Sequence, residues 1–189
     1  MAAGHSGFAQ ASKSAVNEQA ALKRARRLLA QFDSMIRKTD IVALIDFSQA
    51  SSRPRFLLVD LETERVEAFL TAHGRGSDPD HTGMLQSFSN APGSNATSRG
   101  AYRTLGAYEG KYGRSMRLEG LEPDNDNAIA RAIVIHPAWY VSEAMIARYG
   151  KLGRSEGCFA LSAGGLPAVL DRLGPGRLLY ADRFDDLFA

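Results

Sequence analysis

The sequence predicts an α+β domain built on a mixed or antiparallel β-sheet, with helices kept to its edges. Strand texture fills the middle of the chain, from IVALIDF at 41–47 to RAIVIHP at 131–137. Helical periodicity occurs only before residue 40 and after residue 140. A chain of 189 residues is long enough to bury one core without disulfide staples, and its single cysteine, Cys158, has no partner within the chain. Sheet in the middle and helices at the ends is the pattern of an α+β fold.

The elements follow in order. Residues 14–38 read as one amphipathic helix, because Leu22, Ala25, Leu29, Phe32 and Ile36 recur at spacings of three and four. Lys23, Arg24, Arg26 and Arg27 crowd its middle, and a solvated face is favoured over a membrane-surface helix. IVALIDF is a continuous apolar run, as expected of a buried strand. RFLLVDL (55–61) and RVEAFLTA (65–72) flank ETE and read as a hairpin. From His73 to Arg99 the chain is rich in Gly, Ser, Asp, Asn and Pro, and a loop of that length is functional or disordered. Strands are then expected at 101–109, 115–120 and 131–137. A helix follows over SEAMIARYG, with Ser142 as N-cap and Gly150 at its end. LPAVLDRLG (166–174) reads as a last helix and GRLLYAD (176–182) as a last strand.

Composition narrows the function. A net charge of +2 and a pI near 8.8 are too mild to argue for nucleic acid. No apolar run reaches the length of a membrane span. MAAGHSGFAQ lacks the basic head and apolar stretch of a secretory signal, so residues 1–12 read as a disordered or processed N-terminus and 13–189 as a single domain. No phosphate-loop pattern occurs, and no cofactor is implied.

Two residues could carry nucleophilic chemistry together. Cys158 lies in LGRSEGCFALS, among small and polar residues rather than in the apolar run that a structural cysteine prefers. His136 ends a buried-looking strand. A strand ending in His, a helical excursion and a Gly-Cys turn could bring imidazole and thiol to one rim, the pairing that a thiol nucleophile requires.

The segment RAIVIHPAWYVSEAMIARYGKLGRSEGCFALS resembles the active-site segment of the L,D-transpeptidase (YkuD-type) catalytic domain, marked by a His followed by Ser-x-Gly-Cys. Here these are His136, Ser155, Gly157 and Cys158. AHGRGS, FSN, GSNATSRGAY and the stretch from Tyr112 to His136 resemble the murein L,D-transpeptidase subgroup, so that the likeness runs from about Asp40 to Leu173. The resemblance implies a YkuD-like sheet core and acyl transfer on peptidoglycan stem peptides, donor and acceptor, through a thioester on Cys158. His136 would move the proton, the backbone carbonyl of Pro137 would orient it, and the backbone at Gly157 would donate to the oxyanion. Ser155, Arg154, His73 and Gly74 would bind substrate. An amine acceptor gives a 3-3 cross-link, and water gives carboxypeptidase or endopeptidase activity. Inhibition by β-lactams of the carbapenem type and a periplasmic or envelope location are also implied.

Three positions depart from the family pattern. Glu156 stands beside the nucleophile, where it should raise the thiol pKa unless neutralised, and Arg154 is available to pair with it. Phe159 replaces the proline common in the subgroup, and Ala160 stands where common members carry Arg. These departures keep open a non-catalytic peptidoglycan-binding module on the same fold. A zinc peptidase using His73, Asp80 and His81 is the lesser alternative, since their spacing matches no metal motif.

Overall fold

The computed structural model describes residues 16–188. The stretch expected to be disordered or processed, 1–12, lies outside the described residues, as does Ser14, the expected start of the first helix.

Among the described residues the strands are β1 (Ile41–Asp46), β2 (Phe56–Asp60), β3 (Arg65–Phe69), β4 (Thr71–Ala72), β5 (Gly100–Gly110), β6 (Gly113–Gly120), β7 (Val134–Pro137), β8 (Phe159–Leu161) and β9 (Leu178–Asp182). They form one mixed sheet in the order β3-β2-β1-β9-β5-β6-β7-β8-β4. Only β1–β9 and β7–β8 are parallel pairs. The sheet-rich core with peripheral helices is the architecture that the sequence implies.

One expectation fails in an informative way. RVEAFLTA does not form a single strand: it divides at Leu70 into β3 and β4, which occupy opposite edges of the sheet. One residue cannot span a flat nine-stranded sheet, whose strands lie about 4.8 Å apart. The sheet must therefore curl until its edges meet, in the direction that strand twist favours. Arg55 holds this seam from both sides. Its backbone N–H donates to Phe69 O (3.0 Å) and its side-chain Nε to Thr71 O (3.1 Å).

Inside the curl, Phe47, Phe56, Leu118, Ile135 and Phe159 pack with Leu166, Val169, Leu170 and Leu173 of a helix α3 (Leu166–Leu173). The opposite face of β1, β2 and β9 is covered by a helix α1 (Glu18–Gln31). All six residues of β1 are buried because it is sandwiched between these layers, which explains its apolar run from Ile41 to Ile45.

Asn17 caps α1 by accepting from Ala20 N, and the predicted stripe from Leu22 to Ile36 is buried. The helix ends at Gln31 rather than 38, since Asp33 and Ser34 favour turns over helix interiors. Two of its basic residues meet carboxylates at the surface, Arg24 with Asp186 and Arg26 with Glu64. The cationic cluster is a solvated face.

The long segment 73–99 is neither strand nor helix apart from a 3-10 turn at Arg75–Ser77, yet it is firmly held. Asp78 is fully buried and accepts from Thr82 N, Thr82 Oγ1, Gly83 N and Gln86 Nε2. Beside it, His73 bridges two charges. Arg55 Nη2 lies 2.7 Å from His73 Nδ1, and His73 Nε2 lies 3.3 Å from Asp78 Oδ2. A guanidinium can only donate, so Nδ1 accepts, the ring proton sits on Nε2, and the imidazole is neutral. Burial and the nearby Arg55 charge hold His73 down at about pKa 3. Burial raises the Asp78 carboxyl, but the N–H groups of Thr82 and Gly83 outweigh it and bring it to about 2.

Both depressed values make acid costly. The unfolded chain binds a proton at His73 from its ordinary value of 6.5 downward, whereas the folded chain resists to about 3. Stability is thus complete above pH 6.5 and is lost as pH falls from there toward 3, by at most about 1.4 kcal/mol per pH unit for this group. His136, also held below 6.5, adds to the same slope. Urea unfolding of the wild type is expected to weaken already between pH 6.5 and 5, before most carboxylates titrate. His73→Gln is expected to be less stable at pH 7 but flatter across that interval, and an unchanged slope would contradict the assignment.

Candidate active site

Parallel strands need a long crossover, and β7 reaches β8 through a short helix α2 (Glu143–Tyr149). Ser142 caps it by accepting from Met145 N, and Gly150 ends it in the left-handed region, as expected from sequence. The register pairs Ile135 with Phe159 and His136 with Ala160. Ile135, Phe159 and Leu161 point into the core. Alternation therefore sends His136, Ala160 and, one residue before the strand, Cys158 to the other face. Two residues of offset on neighbouring strands put the His136 and Cys158 Cα atoms about 8 Å apart. Both side chains line one open cavity of about 520 Å³, together with Lys111, Tyr112, Arg131 and Tyr140.

The turn that carries Cys158 is shaped by its backbone. Gly157 has φ +114°, and a Cβ there would stand 2.7 Å from Ala96 O and 3.1 Å from Arg131 Nη2. Gly74 meets it from behind, where a Cβ would stand 2.8 Å from Gly157 Cα. The chain on that side is bound to the turn through Ser155 N to His73 O (2.9 Å) and Arg75 N to Ser155 O (2.8 Å). Ser155 Oγ donates to Cys158 O (2.7 Å) and accepts from Gly157 N (3.2 Å). Its hydroxyl braces the turn, and the Gly157 N–H is engaged inside it.

His136 is 4% exposed. Its Nδ1 donates to Pro137 O at 2.9 Å, which leaves the Nε2 lone pair as the basic site. Proline keeps its carbonyl, so nothing is lost by its presence at 137. One face of the imidazole is stacked by Tyr112, with centroids 4.7 Å apart and planes at 25°. Tyr112 and Lys111 form the two-residue turn between β5 and β6, where Gly110 pairs with Gly113. A second, apolar hollow of about 440 Å³ lies along His136, Pro137, Trp139 and Ala163, so the imidazole stands between two openings.

Burial lowers the His136 pKa, an effect opposed by the Pro137 carbonyl and reinforced by Lys111. Burial raises the Cys158 thiol; Glu156 adds to this, while the Val134 backbone, Arg131 and Lys111 oppose it. The thiol donates to Ala132 O at 3.5 Å. Both directions favour the uncharged forms, thiol and neutral imidazole, over an ion pair.

Several expectations change. His73 is 1% exposed and locked between Arg55 and Asp78, so it does not wall the cleft. Gly74 is buried as backing for Gly157 and does not line the cavity. Arg154 lines the cavity but donates to the Asp78 and Pro79 carbonyls, not to Glu156. Glu156 instead meets Arg75 at 3.4 Å, an exposed pair worth little. Among the described residues no three His, Cys, Asp or Glu side chains gather to hold a metal ion, which overturns the zinc grouping. His73 is sealed in the interior, Asp80 is exposed, and His81 bonds through Nε2 to Leu152 O.

Lys111, Tyr112, Arg131 and Tyr140 line the cavity beyond the residues expected from the sequence. The Gly-Lys-Tyr-Gly spacing was a signal for a tight hairpin. For Arg131 there was none, because its place depends on the fold of segment 89–98.

No curated protein matches the chain. Among solved structures, an L,D-transpeptidase from Mycobacterium smegmatis is 13% identical with TM-score 0.45, covering 76% of this chain and 58% of its own. The helical cell shape determining protein Pgp2 from Campylobacter jejuni is 13% identical with TM-score 0.49, covering 79% and 49%. L,D-transpeptidase 3 from Mycobacterium tuberculosis, in complex with a faropenem-derived adduct, is 12% identical with TM-score 0.47, covering 76% and 60%. The chain thus matches about half to three-fifths of the length of these structures. By its sequence pattern over residues 12–181, the chain belongs to the L,D-transpeptidase catalytic domain family.

Proposed function

We propose that this chain is a cysteine-dependent acyltransferase on peptidoglycan stem peptides, an L,D-transpeptidase that works through a thioester. What supports the reading most is one juxtaposition: Cys158 and His136 share a face of paired strands and open on one cavity. Family membership supports the same substrate class.

In this mechanism His136 Nε2 takes the Sγ proton as sulfur attacks the carbonyl carbon of the stem's third residue, a diamino acid. The Pro137 carbonyl keeps the other proton on Nδ1 and stabilises the imidazolium that forms. The developing oxyanion draws the Gly157 N–H away from Ser155 Oγ, since a bond to a charged oxygen is the stronger one. The C–N bond then breaks, the terminal D-alanine leaves with the imidazolium proton, and the acyl group stays on sulfur. An acceptor amine gives its proton to His136 and attacks the thioester, and sulfur leaves as the regenerated thiol. Water in place of the amine yields a tripeptide. The apolar hollow beyond His136 offers the acceptor a route separate from the donor cavity.

On this reading residues 13–189 act as a single catalytic domain in the periplasm or cell envelope, where peptidoglycan lies. Among the described residues no helix is long and apolar enough to cross a membrane.

Wild-type protein incubated with purified tetrapeptide muropeptides is expected to give 3-3 dimers or tripeptides by mass spectrometry. Cys158→Ala should lower product by at least about 10³-fold, the scale of losing a nucleophile. A carbapenem should add its mass to the wild type and not to this variant. Muropeptide binding without product from the wild type would instead favour a non-catalytic wall-binding module.

The resting protonation states give a second expectation. Alkylation of Cys158 by iodoacetamide should keep rising through pH 9, because the thiol is held above its ordinary value. A rate already level near pH 6 would mean a preformed thiolate–imidazolium pair and would contradict the neutral resting site.

A further inference from the structure

Arg131 lies in the turns between β6 and β7, and its guanidinium is spent on a single small region. Nη1 donates to Ser89 O (2.9 Å) and Nη2 to Ala96 O (2.5 Å). The hydroxyls of Ser98 and Ser94 lie 3.4 Å from Nη1 and 3.3 Å from Nη2. Every one of these partners is a neutral oxygen, so the positive charge is held in place without being cancelled. Nη2 and Ala96 O are also the atoms that press on the empty Cβ position of Gly157, one residue before the nucleophile. The same side chain lines the cavity onto which Cys158 opens.

We propose that Arg131 is a positioning residue for the Cys158 nucleophile: its fork pins segment 89–98 beneath the Gly157–Cys158 turn, and its uncancelled charge is the one against which the thiolate forms. The assignment rests on the reading of Cys158 as nucleophile. Other groups face the same cavity. Glu156 opposes the thiolate, and His136, Tyr112 and Tyr140 border it. Of the other cations there, Lys111 sits over the Tyr112 ring on an exposed turn, and Arg154 is turned to the Asp78 and Pro79 carbonyls. Arg131 alone among these cations touches the turn through the notch at Gly157.

The test reads the thiol without substrate, which is possible because Cys158 is the only cysteine in the chain. Iodoacetamide alkylation is followed between pH 7 and 10.5 in the wild type, Arg131→Gln and Arg131→Lys, with thermal melting of each. Arg131→Gln is expected to move the alkylation midpoint up by about one pH unit and to slow labelling near pH 8 by about tenfold. Arg131→Lys keeps the charge but not the fork, so its midpoint should stay near the wild-type value while its melting temperature falls. A folded Arg131→Gln with an unchanged midpoint overturns the proposal. If Arg131→Gln does not fold, Arg131→Lys decides: an unchanged midpoint supports the role of charge, and a midpoint raised by a full unit overturns it. These outcomes are separate from turnover of stem peptides, since alkylation remains readable whether or not the wild type forms product.

Discussion

The seam at Leu70 is the constraint from which the rest of the site follows. A nine-stranded sheet whose first and last strands are one residue apart has to close, and closing sets β4 beside β8. That neighbour relation carries the chain after β4 along Ser155, so Gly74 arrives behind Gly157 and the turn bearing Cys158 is backed by main chain. Arg55 ties both sides of the seam and, through His73 and Asp78, anchors the loop that follows. The turn bearing Cys158 is thus braced by an interior network of charge and neutral imidazole. Removing one member of such a network is expensive, since it strands a buried charge.

The electrostatics of the cavity work against a ready-made thiolate. Burial disfavours charge on both Cys158 and His136, and Glu156 adds to the cost at sulfur, while Arg131 and Lys111 act in the opposite sense. A thiol that stays protonated reacts less with stray electrophiles, because the thiolate is the reactive form. His136 Nε2 keeps a free lone pair, its Nδ1 being committed to Pro137 O.

Much of this was legible in the chain. The pairing of His136 with Cys158 could be inferred because each sits beside a local signal, a strand end and a Gly-Cys turn. β1 could be recognised because a strand buried on both faces has no polar alternation to hide it. The division of RVEAFLTA could not, since nothing between Phe69 and Thr71 differs in texture from a continuous strand; closure is decided by twist summed over all nine strands. His73 misled for a related reason. A histidine beside glycines reads as cleft wall, and only the fully buried Arg55, eighteen residues earlier, shows that it faces inward. Arg131 was silent because all its partners lie in a segment without regular structure.

The contact between Gly74 and Gly157 has a consequence for how such a site can diversify. Two main chains meet there with no room for a methyl group at either position, so the floor beneath sulfur tolerates no variation of side chain. The rim is different: the Glu156 and Arg75 side chains are exposed and meet each other only as a surface ion pair. Side chains on that rim can change without disturbing the floor. Glu156, the acid beside Cys158, is then the kind of change this division permits.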